Sequence, residues 1–138
     1  MANNRLNGRI DFSELKSLPE KHEEATARFF ARLGKDIVFI RPSSIKGAKT
    51  PDFRMDGKAW ETKSPIVFSN SSFENNFRKA VKQSPNIIFD LRRLRDCKDE
   101  SRYYSELKRR SESSTVKNLL VIGRSGKLFT LKGKFDIM

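Results

Sequence analysis

Thr50-Pro51-Asp52-Phe53-Arg54-Met55-Asp56-Gly57-Lys58-Ala59-Trp60-Glu61-Thr62-Lys63 reads as a β-hairpin folded at Asp56-Gly57. A two-residue type I′ turn needs positive φ at both central positions, which Asp and Gly tolerate. Residues 50–55 and 58–63 are then the paired strands. Met55 faces Lys58, and counting outward sets Asp52 opposite Glu61. Directly opposed residues share a face, with Cβ atoms roughly 4.5–5.5 Å apart. Lys63, two residues beyond Glu61, joins that face. One face therefore carries Asp52, Glu61 and Lys63. The other carries Phe53, Trp60 and Thr62 and reads as the core side.

Two opposed carboxylates repel each other and weaken a strand pair. A divalent cation between them reverses the sign, because Mg²⁺ takes one or two carboxylates together with water and phosphate oxygens. A lysine beside them can position a water or steady charge developing on a phosphate. Read without chemistry, the same residues are a surface hairpin with two acids and a solvated lysine. The order Pro51-Asp52 followed by Glu61-Thr62-Lys63 resembles the motif of the PD-(D/E)xK nuclease superfamily.

The chain has 138 residues and a formal charge of +12. Its length suits one core, so residues 1–17 read as a polar N-terminal segment and 18–138 as a single domain. The excess of Lys and Arg favours a polyanionic partner. No long apolar run or signal-peptide pattern points to a membrane. A single cysteine, Cys97, excludes an internal disulfide and a cysteine-rich zinc site, and reads as a plain reduced thiol. With one histidine as well, zinc-finger chemistry and two-histidine RNase chemistry are both excluded. The site of action reads as a reducing cytoplasm, and delivery from another cell is compatible with the same composition.

Residues 1–12 are polar and read as loosely ordered. Ser17-Leu18-Pro19-Glu20 reads as a helix start, with a serine cap and Glu three positions on. That helix runs to about Leu33 and stops at Gly34. Ala27, Phe30 and Ala31 form its apolar stripe; Glu23 sits at the edge of the stripe, with Glu24 one step further round. Both acids also suit a helix first turn as dipole partners. His22 reads as a cap or surface residue, with a substrate contact as its functional alternative. Residues 37–40 are a buried strand, and 41–49 a loop whose Lys46 and Lys49 could touch phosphates. A second helix over 73–84 has Phe73, Phe77, Ala80 and Val81 on one face and Arg78, Lys79 and Lys82 on the other, and Pro85 ends it. Residues 86–91 are a buried strand, with Asp90 a structural acceptor and Arg92, Arg93 and Arg95 a basic cluster. A charged helix over 99–113 and strands at 116–122 and 127–131 complete the chain. Phe68, Tyr103 and Tyr104 could stack bases, with core packing as the alternative.

The sequences Leu18-Pro19-Glu20-Lys21-His22-Glu23, Gly34-Lys35-Asp36-Ile37, Thr50-Pro51-Asp52-Phe53, Trp60-Glu61-Thr62-Lys63-Ser64-Pro65 and residues 83–91 resemble the C-terminal tRNase domain of contact-dependent growth-inhibition toxins. The resemblance implies an α/β fold of mixed α+β character. Its PD-(D/E)xK restriction-endonuclease-like core would be a mixed central sheet flanked by helices. It implies Glu23, Asp52 and Glu61 as metal-side acids for Mg²⁺ or Mn²⁺, with Glu24 as the substitute for Glu23. Lys63 would be the catalytic lysine, and Gln83 a helix residue near the site. The reaction it implies is metal-dependent hydrolysis of a phosphodiester in structured RNA such as tRNA, and a cognate inhibitor protein is a possible partner. Resolvase- or restriction-type cleavage of DNA on the same fold is the alternative. A non-catalytic nucleic-acid-binding module is the third class.

Overall fold

The computed structural model describes residues 7–45, 47–48, 50–95 and 99–136. The elements are β1 (Ile10–Asp11), α1 (Lys21–Arg32), β2 (Ile37–Phe39), β3 (Phe53–Met55), β4 (Lys58–Lys63), α2 (Asn70–Gln83), β5 (Asn86–Asp90), a 3₁₀ turn (Leu91–Arg93), α3 (Glu100–Glu112), β6 (Asn118–Ile122) and β7 (Leu128–Lys132). Strands pair in sequence order from β1 to β7. Pairing is parallel at β1–β2, β4–β5 and β5–β6 and antiparallel at β2–β3, β3–β4 and β6–β7. The chain is thus mixed α+β with a mixed sheet, as the sequence predicts. It divides into two compact units, residues 1–60 with 136–138 and residues 61–135, and the boundary falls inside β4.

In the first unit the hairpin closes at the expected turn. Asp56 and Gly57 have φ of 54° and 74°, the left-handed pair that a type I′ turn demands. The register is Met55 with Lys58, Arg54 with Ala59 and Phe53 with Trp60. Phe53, Met55 and Trp60 are buried. The Trp60 indole N–H donates to the Met55 carbonyl at 3.0 Å, so the largest side chain of the hairpin also satisfies its own polar atom. Lys35, itself buried, holds the turn from outside with its ammonium 2.8 Å from Asp56.

Two expectations for this unit are corrected. The first helix does not start at Ser17. Its N-cap is Glu20, in extended conformation, and Leu33 is the C-cap. Proline disfavours the helical region for the residue before it, which keeps Leu18 out of the helix. Glu23 then stands at the third helical position and accepts the Glu20 N–H at 3.3 Å, the return half of a capping box. Nor is the whole N-terminal segment loosely ordered. Ile10 and Asp11 pair in parallel with Ile37 and Val38, and Phe12 stacks on Phe39 at 5.4 Å. Gly8 lets this strand approach, since a Cβ there would lie 1.9 Å from the Lys35 carbonyl oxygen.

In the second unit, β4–α2–β5 and β5–α3–β6 are crossover connections, the form that joins neighbouring parallel strands. Their shared handedness puts both helices on one face. Phe73, Phe77 and Ala80 of α2 and Tyr103 and Leu107 of α3 accordingly share one core with Ile87, Phe89, Leu119 and Val121. Every residue of β5 is buried, the pattern of a parallel strand covered on both sides. Ser69 caps α2, its hydroxyl accepting the Ser72 N–H at 3.2 Å, so the helix begins at Asn70 instead of Phe73. Asp99 caps α3. The strand predicted over 86–91 ends at Asp90, where the chain turns into the 3₁₀ segment.

Candidate active site

Each unit holds part of the expected site. In the first, Glu23 at the head of α1 and Asp52 at the entry to β3 line one cleft of about 840 Å³. Asp52 is fixed through its backbone: its N–H donates to the Trp60 carbonyl at 2.9 Å and its carbonyl accepts from Ile40 at 3.0 Å. Both acids are half-buried. Glu24, the substitute, points into other business, its carboxylate accepting from the Arg28 guanidinium at 2.9 Å. His22 sits 3.9 Å from Glu20, a capping-region residue that does not line this cleft.

In the second unit, Lys63 Nζ lies 3.2 Å from Glu61 Oε2, with 19% of the lysine side chain and 4% of the glutamate exposed. The hairpin face expected to carry exposed acids is therefore buried at Glu61. Parallel pairing of Glu61 with Ile87 and Lys63 with Phe89 explains it, because a strand flanked inside a parallel stretch loses its solvent face. Ser64, next along the chain, has a buried hydroxyl with no hydrogen-bond partner among the described residues.

The basic residues behave less uniformly than their charges suggest. Arg78, Lys79 and Lys82 are exposed on α2, and Arg78 donates to Asn75 at 2.7 Å. Gln83 ends α2 and is half-buried. Arg93 is exposed, whereas Arg92 is committed to buried Asp90, with contacts of 2.9 and 2.7 Å. Asp90 is thus the structural acceptor the sequence implies, and it draws one cation from the basic cluster. Tyr103 is fully buried and presents no face for stacking bases; Phe68, half-buried, packs on it at 4.6 Å. Tyr104 is half-buried and bonded to Glu100. The phosphate contacts expected of Lys46 and Lys49, and the reduced thiol of Cys97, lie outside the described residues.

Among the described residues no three His, Cys, Asp or Glu side chains are grouped as a cation site. No helix among the described residues is long and apolar enough to cross a membrane. Sequence reasoning missed the cleft walls and the Lys35–Asp56 pair, both made by residues distant along the chain.

The fold is matched by a solved structure, the CdiA-CT/CdiI toxin and immunity complex from Burkholderia pseudomallei, with a TM-score of 0.65 over 91% of this chain and 99% of that one at 16% identity. The mixed sheet and three helices are those of a CdiA-type toxin fold. The model of the contact-dependent growth inhibition CdiA C-terminal domain matches residues 49–128, more than half of the chain, and the chain belongs to that family. No curated protein matches it.

Proposed function

We propose that this chain is a toxin nuclease of the PD-(D/E)xK type, a metal-dependent RNase acting on structured RNA such as tRNA. The observation that carries the reading is the Glu61–Lys63 pair, buried beside a core strand. A buried ion pair gains little net stability over apolar residues of the same size. Its occurrence in the same hairpin sequence as Asp52 speaks for chemistry.

The donor set fits a hard divalent ion. Asp52 and Glu61 offer carboxylate oxygens, and Mg²⁺ or Mn²⁺ requires only one or two of them, the remainder being water and phosphate oxygens. Those two residues would hold the ion, with Glu23 contributing from α1 directly or through water. Such an ion, when bound, activates water and offsets charge on the scissile phosphate. Lys63 donates hydrogen bonds to the attacking water or to the phosphoryl oxygens as negative charge builds there. Glu61, 3.2 Å from the Lys63 ammonium, holds it in place. The Ser64 hydroxyl is a further donor for a substrate oxygen. Arg78, Lys79, Lys82 and Arg93 would bind the backbone, with Gln83 and His22 as lesser contacts.

Family membership supports delivery from one cell into another and action in the recipient cytoplasm. The likeness to a toxin and immunity complex supports a cognate inhibitor protein as a partner. The test is cleavage of purified tRNA with Mg²⁺ by the parent, by Lys63→Ala and by the parent in EDTA. The account expects a fall on the order of 10²–10³ for Lys63→Ala and silence in EDTA. Undiminished cleavage in EDTA would rule out the metal, and an unimpaired Lys63→Ala would rule out the site.

A further inference from the structure

The cleft that Glu23 and Asp52 line has walls of a different character from its acids. Leu18 and Ile45 are its two outermost apolar side chains, 75% and 73% exposed, more than any other large hydrophobic among the described residues. Leu15, Pro19, Pro42 and Pro51 continue the apolar lining. Ile45 is not on a slack loop. The Thr50 hydroxyl accepts the Ser43 N–H at 3.0 Å, the Ser43 hydroxyl accepts the Ile45 N–H at 3.1 Å, and the Ile45 carbonyl accepts the Ala48 N–H at 3.1 Å. Three local bonds thus present an isoleucine to water.

We infer that this cleft takes one unstacked nucleotide of a single-stranded or loop segment, its base against Leu18 and Ile45. The inference rests on the nuclease reading of Asp52 and Glu23 for the identity of the ligand. A nucleobase has two apolar faces and a polar edge, and the cleft pairs apolar walls with the hydroxyls of Ser17, Ser44 and Thr50. Its charges favour the same orientation. Lys16 and Arg41 in the lining give the flanking phosphates two cations to lie toward, while the uncharged base enters the apolar part. The volume suits one nucleotide, since pockets for small ligands run roughly 300–1,000 Å³. A paired base inside a duplex cannot enter a concave cleft without leaving its stack.

The test is binding, read by fluorescence anisotropy with the Glu61→Ala protein so that cleavage does not intervene. The probes are one labelled RNA strand alone and the same strand in a duplex. The expected result is single-strand binding at least tenfold tighter than duplex binding. Adding Leu18→Ser and Ile45→Ser should weaken single-strand binding by roughly tenfold, the scale of losing one base contact, with duplex binding moved less than about twofold. Thermal melting checks that the variant is folded, which the exposure of both side chains favours. Equal binding of the two probes by the parent, or an unchanged preference in the variant, overturns the inference; the second result is also what a protein occupant of these walls would give. Preference without tRNA cleavage by the parent would sink the nuclease reading and leave this one, and cleavage without preference would do the reverse.

Discussion

Replacing Lys63 by alanine separates what the buried pair does for stability from what it does for chemistry. The substitution removes the ammonium 3.2 Å from a glutamate whose side chain is 4% exposed. Breaking a buried pair from one side costs about 3–5 kcal/mol because a charge is left desolvated. Lys63 keeps 19% of its side chain in solvent, so part of its share was already screened, and we expect a loss of about 2–3 kcal/mol. For a chain of this size that lowers Tm by roughly 6–12 °C. The companion is the double variant Glu61→Leu, Lys63→Met, which replaces both charges by apolar groups of similar volume. Such replacements are often neutral or stabilising by about 1–4 kcal/mol. The double variant should therefore melt at or above the parent temperature and cleave nothing. Circular dichroism during urea and thermal unfolding reads both. A double variant as unstable as Lys63→Ala would refute the reasoning, since the pair would then be a net structural contributor with no need of a catalytic explanation.

Three further outcomes follow from the packing. Gly8→Ala drives a Cβ onto the Lys35 carbonyl and should release β1; hydrogen exchange at Ile10 and Asp11 should accelerate, and unchanged protection would contradict the contact. Trp60→Phe removes the donor to the Met55 carbonyl and should cost about 1–3 kcal/mol in urea unfolding, whereas an unaltered midpoint would show the bond to be idle. The Asp99 carboxyl is held below its usual value by the Ser101 hydroxyl first and by the Arg102 N–H. A lowered folded pKa means that its contribution is complete above the unfolded value of 3.8 and is lost as pH falls through the folded one. Asp99→Asn should therefore flatten the acid side of the stability profile below about pH 4, and an identical profile in the variant would exclude this cap as a source of acid sensitivity.

The hairpin was legible because Asp56-Gly57 fits one turn type, and that turn fixes the pairs Met55–Lys58, Arg54–Ala59 and Phe53–Trp60; the strand expected from Thr50 begins only at Phe53. Helices α2 and α3 were legible from their apolar spacing, while the Ser69 cap sets the start of α2 ahead of the expected Phe73. The first helix was misread at its start because Ser17 and Glu20 offer the same capping pattern as Glu20 and Glu23, and only the restriction that Pro19 imposes on Leu18 separates them. Strand β1 was not legible: two residues in a polar segment carry no period, and their place comes from Ile37 and Phe39, more than twenty positions away. The burial of Glu61 follows from its parallel partner Ile87, a pairing no local pattern encodes. The engagement of Arg92 with Asp90 is local and could have been read from their spacing, as an Asx-type cap closing on its own chain.

The most direct measurement is incubation of the purified protein with total tRNA and, separately, with duplex and branched DNA. Each substrate is run in Mg²⁺, in Mn²⁺ and in EDTA, beside Glu61→Ala. The account predicts cleavage of tRNA, absent in EDTA and in the variant, with both DNAs intact. Cleavage of DNA alone, or tRNA cleavage that survives loss of the Glu61 carboxylate, would contradict it.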